Sequence, residues 1–167
     1  MNPVTQPACL LTLLLLTACA KDQIMPIDFT TPITAIRELC HLMPETNDKA
    51  SLAKQLGTAT PNMDVLDVQP PAGLTSLTVG SIGSDRAALW VNLTYQQAHK
   101  PTVGELETAF GPHRRMPPEE HSFHSTAAFN VPVRGGECVV FADTDDLYLK
   151  IPPMGTVMKV TVRYDRL

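Results

Sequence analysis

Aromatic side chains are scarce in this chain, at 5% of 167 residues, with a single tryptophan and three tyrosines. Leu, Val, Ile, Ala and Met must therefore fill any core. Charge is also thin, at 18% of residues, and the 13 Lys and Arg side chains are scattered rather than clustered. A nucleic-acid-binding surface needs a dense cationic stripe to meet phosphates, so that class is excluded, and the net charge of −4 agrees. No apolar run reaches the roughly 20 residues of a membrane-spanning helix. The longest, Ala8 to Ala18, stops well short of it. What the chain does have is 44% hydrophobic residues, enough for a real core, so global disorder is excluded. Its length fits one domain. Fifteen prolines pin many segments at a φ near −65°, which keeps them out of helix interiors and central strands.

The run from Ala8 to Ala18 has the length of the apolar centre of an export signal. The preceding Met1 to Pro7 carries no Lys or Arg, so the α-amino group alone supplies positive charge. The run ends in Leu16-Thr17-Ala18-Cys19, which resembles the lipobox of bacterial lipoproteins. Small side chains at Thr17 and Ala18 let an extended backbone enter a membrane protease, and the Cys19 thiolate accepts the lipid as a thioether. The resemblance implies a signal over 1–18, cleavage before Cys19, and a lipidated tether over 19–31. A globular domain over 32–167 would follow, facing the periplasm. Each buried acyl CH₂ contributes about 0.8 kcal/mol, so two or three chains anchor the protein stably. Ala20 stands where aspartate retains such proteins in the inner membrane, which favours the outer membrane.

Four cysteines are present; Cys9 leaves with the signal and Cys19 is acylated, so Cys40 and Cys138 remain. In an oxidising compartment a spare pair is expected to join. The alternative is two separate buried thiols. A bond between them would close a loop of about a hundred residues, for which chain entropy gives about 4–5 kcal/mol.

Thr31-Pro32 opens a helix with proline at its first position, and Ile33, Ile36, Leu39, Cys40 and Met43 follow at helical spacing. Asn47 or Asp48 caps a second short helix that turns Leu52, Ala53 and Leu56 inward and stops at Gly57. Met63 to Val68 alternates weakly as an edge strand. Leu74 to Val79 and Ala87 to Tyr95 flank Gly80 to Asp85 as a hairpin, with Trp90, Asn92 and Thr94 on a half-buried face. Thr102 and Glu105 form a capping box ahead of Val103, Leu106, Ala109 and Phe110. His113 to Ser125 is a polar, Pro-containing loop. Strands are then expected at Ala127 to Val133, Glu137 to Asp143, Leu147 to Ile151 and Thr156 to Tyr164, the last with its cations on one face.

The order helices, strands, helix, strands predicts an α+β fold, with short helices packed on one face of an antiparallel sheet. Two halves, 32–100 and 101–167, share a plan: a short helix ending at Gly57 or Gly111, then strands finishing at Tyr95 or Tyr164. The segments Glu105 to Pro112 and Lys159 to Asp165 are similar to the small periplasmic lipoproteins of the BamE/SmpA group. With both halves on that plan, the arrangement also resembles the tandem repeats of the β-lactamase-inhibitor-protein family. These resemblances imply a non-enzymatic module that docks proteins onto a sheet face, and they carry over no partner-contacting residue.

Candidate sites stand beside plainer readings. His121 and His124, near His113, form a His-x-x-His that can chelate zinc or copper, although Pro117 and Pro118 oppose a regular helix and a solvated loop is the default. His113-Arg114-Arg115 is a small basic cluster able to meet anionic lipid, peptidoglycan or a partner. Asp143 to Asp146 alternates acids like the start of a calcium loop but lacks its glycine and distal glutamate, and a turn between strands accounts for it. Gly80-x-x-Gly83 lacks the spacing of a nucleophile elbow. No catalytic constellation or cofactor is expected. The leading expectation is a lipid-anchored protein-binding module whose partner is an envelope protein or a secreted effector. A narrower version is an immunity or inhibitor lipoprotein that neutralises an envelope-targeting toxin or hydrolase. The alternative class is a carrier of a metal or small ligand.

Overall fold

The apolar stripe after Thr31 forms α1 (Pro32–Leu42), with Pro32 in its first turn and Ala35, Ile36, Leu39 and Cys40 buried. Ahead of it, the Asp28 carboxylate accepts the Thr30 hydroxyl at 2.6 Å and the Thr30 N–H at 3.0 Å. These bonds hold its pKa below the usual carboxylate value and fix the chain's entry into the helix. Pro44 tightens the exit into a 3₁₀ turn, Met43–Glu45. Asp48 caps α2 (Lys49–Leu56) by accepting the Ser51 N–H, and Thr102 with Glu105 closes the capping box of α3 (Val103–Phe110). This computed structural model describes residues 26–83, 88–117, 125–145 and 154–166.

Among the described residues eight strands form one antiparallel sheet: β1 (Ala59–Asn62), β2 (Val65–Val68), β3 (Leu74–Ile82), β4 (Ala88–Tyr95), β5 (Arg114–Arg115), β6 (Ser125–Val133), β7 (Gly136–Thr144) and β8 (Val157–Arg166). Their order is β1-β2-β3-β4-β8-β7-β6-β5. The first four strands make one meander and the last four another, joined where β4 pairs with β8 from Ala88↔Asp165 to Thr94↔Lys159. Among the described residues the three α-helices cover the same face, α1 over β6 and β8, α2 over β2 and β3, and α3 over β6. Alternation then sends Leu77, Val79, Leu89, Val91, Leu93, Val140, Val160 and Val162 into the layer between helices and sheet.

Several expectations are met: an α+β fold, Pro32 as helix opener, the capping box, and cysteines 40 and 138 joined in a disulfide that ties α1 to β7. Others need correction. Met63 to Val68 is not a single strand. Pro61 obscures the alternation, and β1 and β2 form a hairpin turned at Met63-Asp64, where Met63 takes a φ of 49°. The loop His113–Ser125 is not wholly loop, because Arg114 and Arg115 pair with Ala128 and Ala127 as β5. Asp143 and Thr144 belong to β7 rather than to a turn, since the ladder to β6 runs on to Ser125↔Thr144. Phe29 is buried and Ile27 packs on the core, so the packed unit reaches back beyond Pro32 into the segment expected to be tether. The expected strand at 147–151 lies outside the described residues.

Both sheet edges carry a proline. Gln69 donates its N–H to Thr58 O, so on β1 the even-numbered backbone groups face β2 and Pro61 points outward. Met116 donates to Thr126 O, so on β6 the backbone of Pro132 points outward beyond β5. An edge position without an N–H resists pairing with another chain.

Two stability predictions arise from this packing. The disulfide joins residues 98 apart and both cysteines are fully buried. Reduction, or Cys40→Ser with Cys138→Ser, is expected to lower the unfolding free energy by about 3–5 kcal/mol in urea titrations. Among the described residues the Tyr95 hydroxyl is buried with no hydrogen-bond partner, and burial pushes its pKa above the ordinary 10.0. Tyr95→Phe should therefore raise stability by about 1 kcal/mol at neutral pH. Above pH 10 the unfolded phenol ionises while the buried one stays neutral, so wild-type stability falls as pH rises, and the Phe variant should lose that component.

Candidate functional site

Among the described residues every α-helix lies on one side of the sheet, and none of them lies on the other face. Strand register places its side chains in rows. One row runs Asp67, Thr78, Asn92, Thr161, Phe141, Ala128 and Arg114 from β2 to β5. The next runs Gly80, Trp90, Arg163, Val139 and Asn130. A third holds Thr94, Lys159, Asp143 and Thr126. Small hydroxyl and amide side chains predominate, and the two aromatic rings flank the seam between the meanders.

Trp90 lies flat because Gly80 opposite has no side chain: a Cβ built there would collide with the indole ring. Beside it, Arg163 stretches along its own strand, donating Nε at 3.0 Å and Nη2 at 2.9 Å to Asp165 Oδ2. Its guanidinium stands 5.1 Å above the Phe141 ring, a cation–π arrangement. The result is a half-buried strip of Trp90, Arg163 and Phe141 across β4, β8 and β7.

Polar groups around the strip are tied to one another. Lys159 Nζ lies 3.3 Å from Asp143 Oδ2, while Thr126 Oγ1 donates to Asp143 Oδ1 at 2.7 Å. Thr161 Oγ1 donates to Asn92 Oδ1 at 2.6 Å, and Asn130 Nδ2 to Glu137 Oε1 at 2.6 Å. Such half-exposed pairs contribute little stability, typically about 0.2–1 kcal/mol each. They order the surface instead. A trough of about 580 Å³ lies at the β5 end, floored by Val139 and Phe141 and walled by Met116 and Pro117. A second, more open groove of about 640 Å³ runs between α1 and α3, lined by Ile33, Arg37, Ala109 and Met154.

The predicted site residues are dispersed. His113 Nδ1 sits 2.8 Å from Glu107 Oε1, joining the end of α3 to β5, with its ring against Phe129. Arg114 and Arg115 are both exposed on β5 and alternate to opposite faces, so the basic cluster divides and Arg114 alone joins the uncovered face. His121, His124 and Cys19 lie outside the described residues. Asp143 and Asp145 do not form a calcium loop with Thr144, whose hydroxyl is buried and donates to Ser125 O. Among the described residues no three His, Cys, Asp or Glu side chains gather as metal ligands. Trp90, Lys159 and Arg163 were marked by strand alternation, but Phe141 and Val139 were missed. Their strand reads Cys138-Val139-Val140-Phe141-Ala142, an unbroken apolar run, so alternation does not tell one side from the other.

If Trp90 is held flat by the missing Gly80 side chain, Gly80→Ala must lift the indole from the sheet. Emission from this sole tryptophan is expected to shift to the red, with about 1–2 kcal/mol of stability lost. No protein-family model matches the chain, and neither a curated protein nor a solved structure does, so its face is characterised by its own geometry.

Proposed function

We propose that this chain is a non-enzymatic protein-binding module of the cell envelope, held to a membrane by lipid on Cys19, whose partner docks on the uncovered sheet face. The observation that carries the reading is the strip of Trp90, Arg163 and Phe141 at the centre of that face. Tryptophan and arginine at the middle of a patch, surrounded by small polar groups, is the composition of binding hot spots. The rim of Thr, Asn and Ser supplies hydrogen bonds and excludes water. Proline at both edges argues against recruitment by strand addition and leaves the face as the docking element. The anchoring part of the reading rests on Leu16-Thr17-Ala18-Cys19 and the apolar run before it.

A narrower reading is favoured by the frame itself. The disulfide and the antiparallel ladder hold the face in one shape, so little ordering entropy is lost on binding. Tight inhibition of an envelope-targeting toxin or hydrolase suits such a preorganised surface better than a transient assembly contact does.

Two measurements test the proposal. Growth on labelled palmitate should mark the wild-type product and leave Cys19→Ala unmarked; an unlabelled, freely soluble wild-type protein overturns the anchor. Photo-crosslinking from position 78 or 94 on the open face should trap one partner. Trp90→Ala and Arg163→Ala should each weaken its capture by about 2 kcal/mol or more while circular dichroism stays unchanged. Undiminished capture by both folded variants overturns the docking face.

A further inference from the structure

We propose that the strip across β3, β4 and β8 seats a polyproline II segment of the partner, with proline at positions i and i+3. The inference rests on the reading that this face docks a protein, and it names the element of the partner that touches Trp90.

The indole lies over Gly80, where no side chain lifts it, and Trp90 is half-buried. One ring face therefore rests on the sheet, and what remains exposed is a flat apolar plate. Gly80, Trp90 and Arg163 stand in register on adjacent strands. The positions of Gly80 and Arg163 are thus two strand spacings apart, about 9.6 Å. At the second position the Arg163 guanidinium, stacked on Phe141, forms another flat surface. A polyproline II helix rises about 3.1 Å per residue with three residues per turn, so residues i and i+3 point the same way about 9.3 Å apart. That matches the two plates. An extended strand repeats on one side at about 6.8 Å and misses the second plate. An α-helix comes near it with residues i and i+7, about 10.5 Å apart, but its carbonyls are spent on its own backbone bonds.

Carbonyls are what the strip lacks. Asn92 Oδ1 accepts from Thr161, which leaves Asn92 Nδ2 without a partner among the described residues. Arg163 gives Nε and Nη2 to Asp165, which leaves Nη1 without one. Polyproline carbonyls have no internal partner, and proline brings no N–H to be stranded against the indole. Charge selects no ion here, because Arg163 is paired with Asp165 and Lys159 with Asp143. A neutral row of acceptors, apolar at every third residue and already fixed in conformation, satisfies the ring, the spacing and the donors together. It also loses little entropy on docking.

The test uses the full chain and two acetylated, amidated heptapeptides of one composition, Pro-Ala-Ala-Pro-Ala-Ala-Pro and Pro-Ala-Pro-Ala-Pro-Ala-Ala. Emission from Trp90, the sole tryptophan, reports occupancy. The first peptide, with proline at every third residue, is expected to shift emission to the blue, and the second to bind about tenfold weaker. Asn92→Ala should weaken the first peptide about fivefold through the lost carbonyl bond, with circular dichroism unchanged. Arg37→Glu, on the helix side, should leave its binding unaffected. Equal affinity of the two peptides overturns the proposal, as does unaltered emission with both. Cellotriose shifting the emission where neither peptide does also overturns it, in favour of a sugar ring on the indole. Should neither peptide bind while Trp90→Ala still abolishes capture of the crosslinked partner, the polyproline segment fails and the docking face stands.

Discussion

The pairing of β4 with β8 is the contact on which the rest of the molecule depends. Residues such as Asn92 and Thr161 are 69 positions apart, yet their side chains bond directly across it. Without that ladder the chain would hold two four-stranded meanders, each with an unpaired inner edge. With it, one sheet spans the domain, the three helices share a single core, and Trp90 lies beside Arg163. Such non-local pairing costs loop-closure entropy before its contacts form. Two other long-range ties act in the same direction. The disulfide fixes α1 to β7, and Arg166 at the end of β8 donates to Thr46 O in the turn after α1.

Among the described residues the α-helices all lie on one face of the sheet, and this divides the sheet's residues by role. The helix side is mostly aliphatic, joined by Phe29, Phe129, Tyr95 and Tyr164, and among the described residues the Tyr95 hydroxyl is buried there without a partner. The open side carries hydroxyls, amides and paired charges, which keep an uncovered face soluble without burying unpaired charge. Two aromatics and an arginine at the seam break that pattern. A surface selected for solubility alone would not place a half-exposed tryptophan over a glycine at its centre, and this is why the docking reading concentrates there.

The proposed location and the observed covalent frame are consistent with each other. A disulfide spanning most of the domain persists where the surroundings are oxidising. The proposed export signal and lipidation at Cys19 would deliver the chain to such a compartment. In the proposed reading the chain from Cys19 to Ile27, which packs on the core, is short enough to keep the domain within a few nanometres of the membrane.

Much of the local structure was legible in the residues themselves. Helical spacing from Ile33 to Met43, the Pro32 opening, the Asp48 cap and the Thr102–Glu105 box are signals within a few positions, so short-range sterics and hydrogen bonding determined those helices. With Cys9 and Cys19 set aside by the lipobox resemblance, a bond between Cys40 and Cys138 was expected beside the alternative of two free thiols, and the cations of β8 were already on one face by alternation. The β1–β2 hairpin was not legible, because Pro61 and Met63 hide its period. Nor was the company that Trp90, Arg163, Phe141 and Arg114 keep. Their adjacency comes from the register of strands far apart in the chain, and a one-residue slip would send them to opposite sides. Local chemistry settled which segments are helix and strand; only tertiary pairing decided which side chains share the open face.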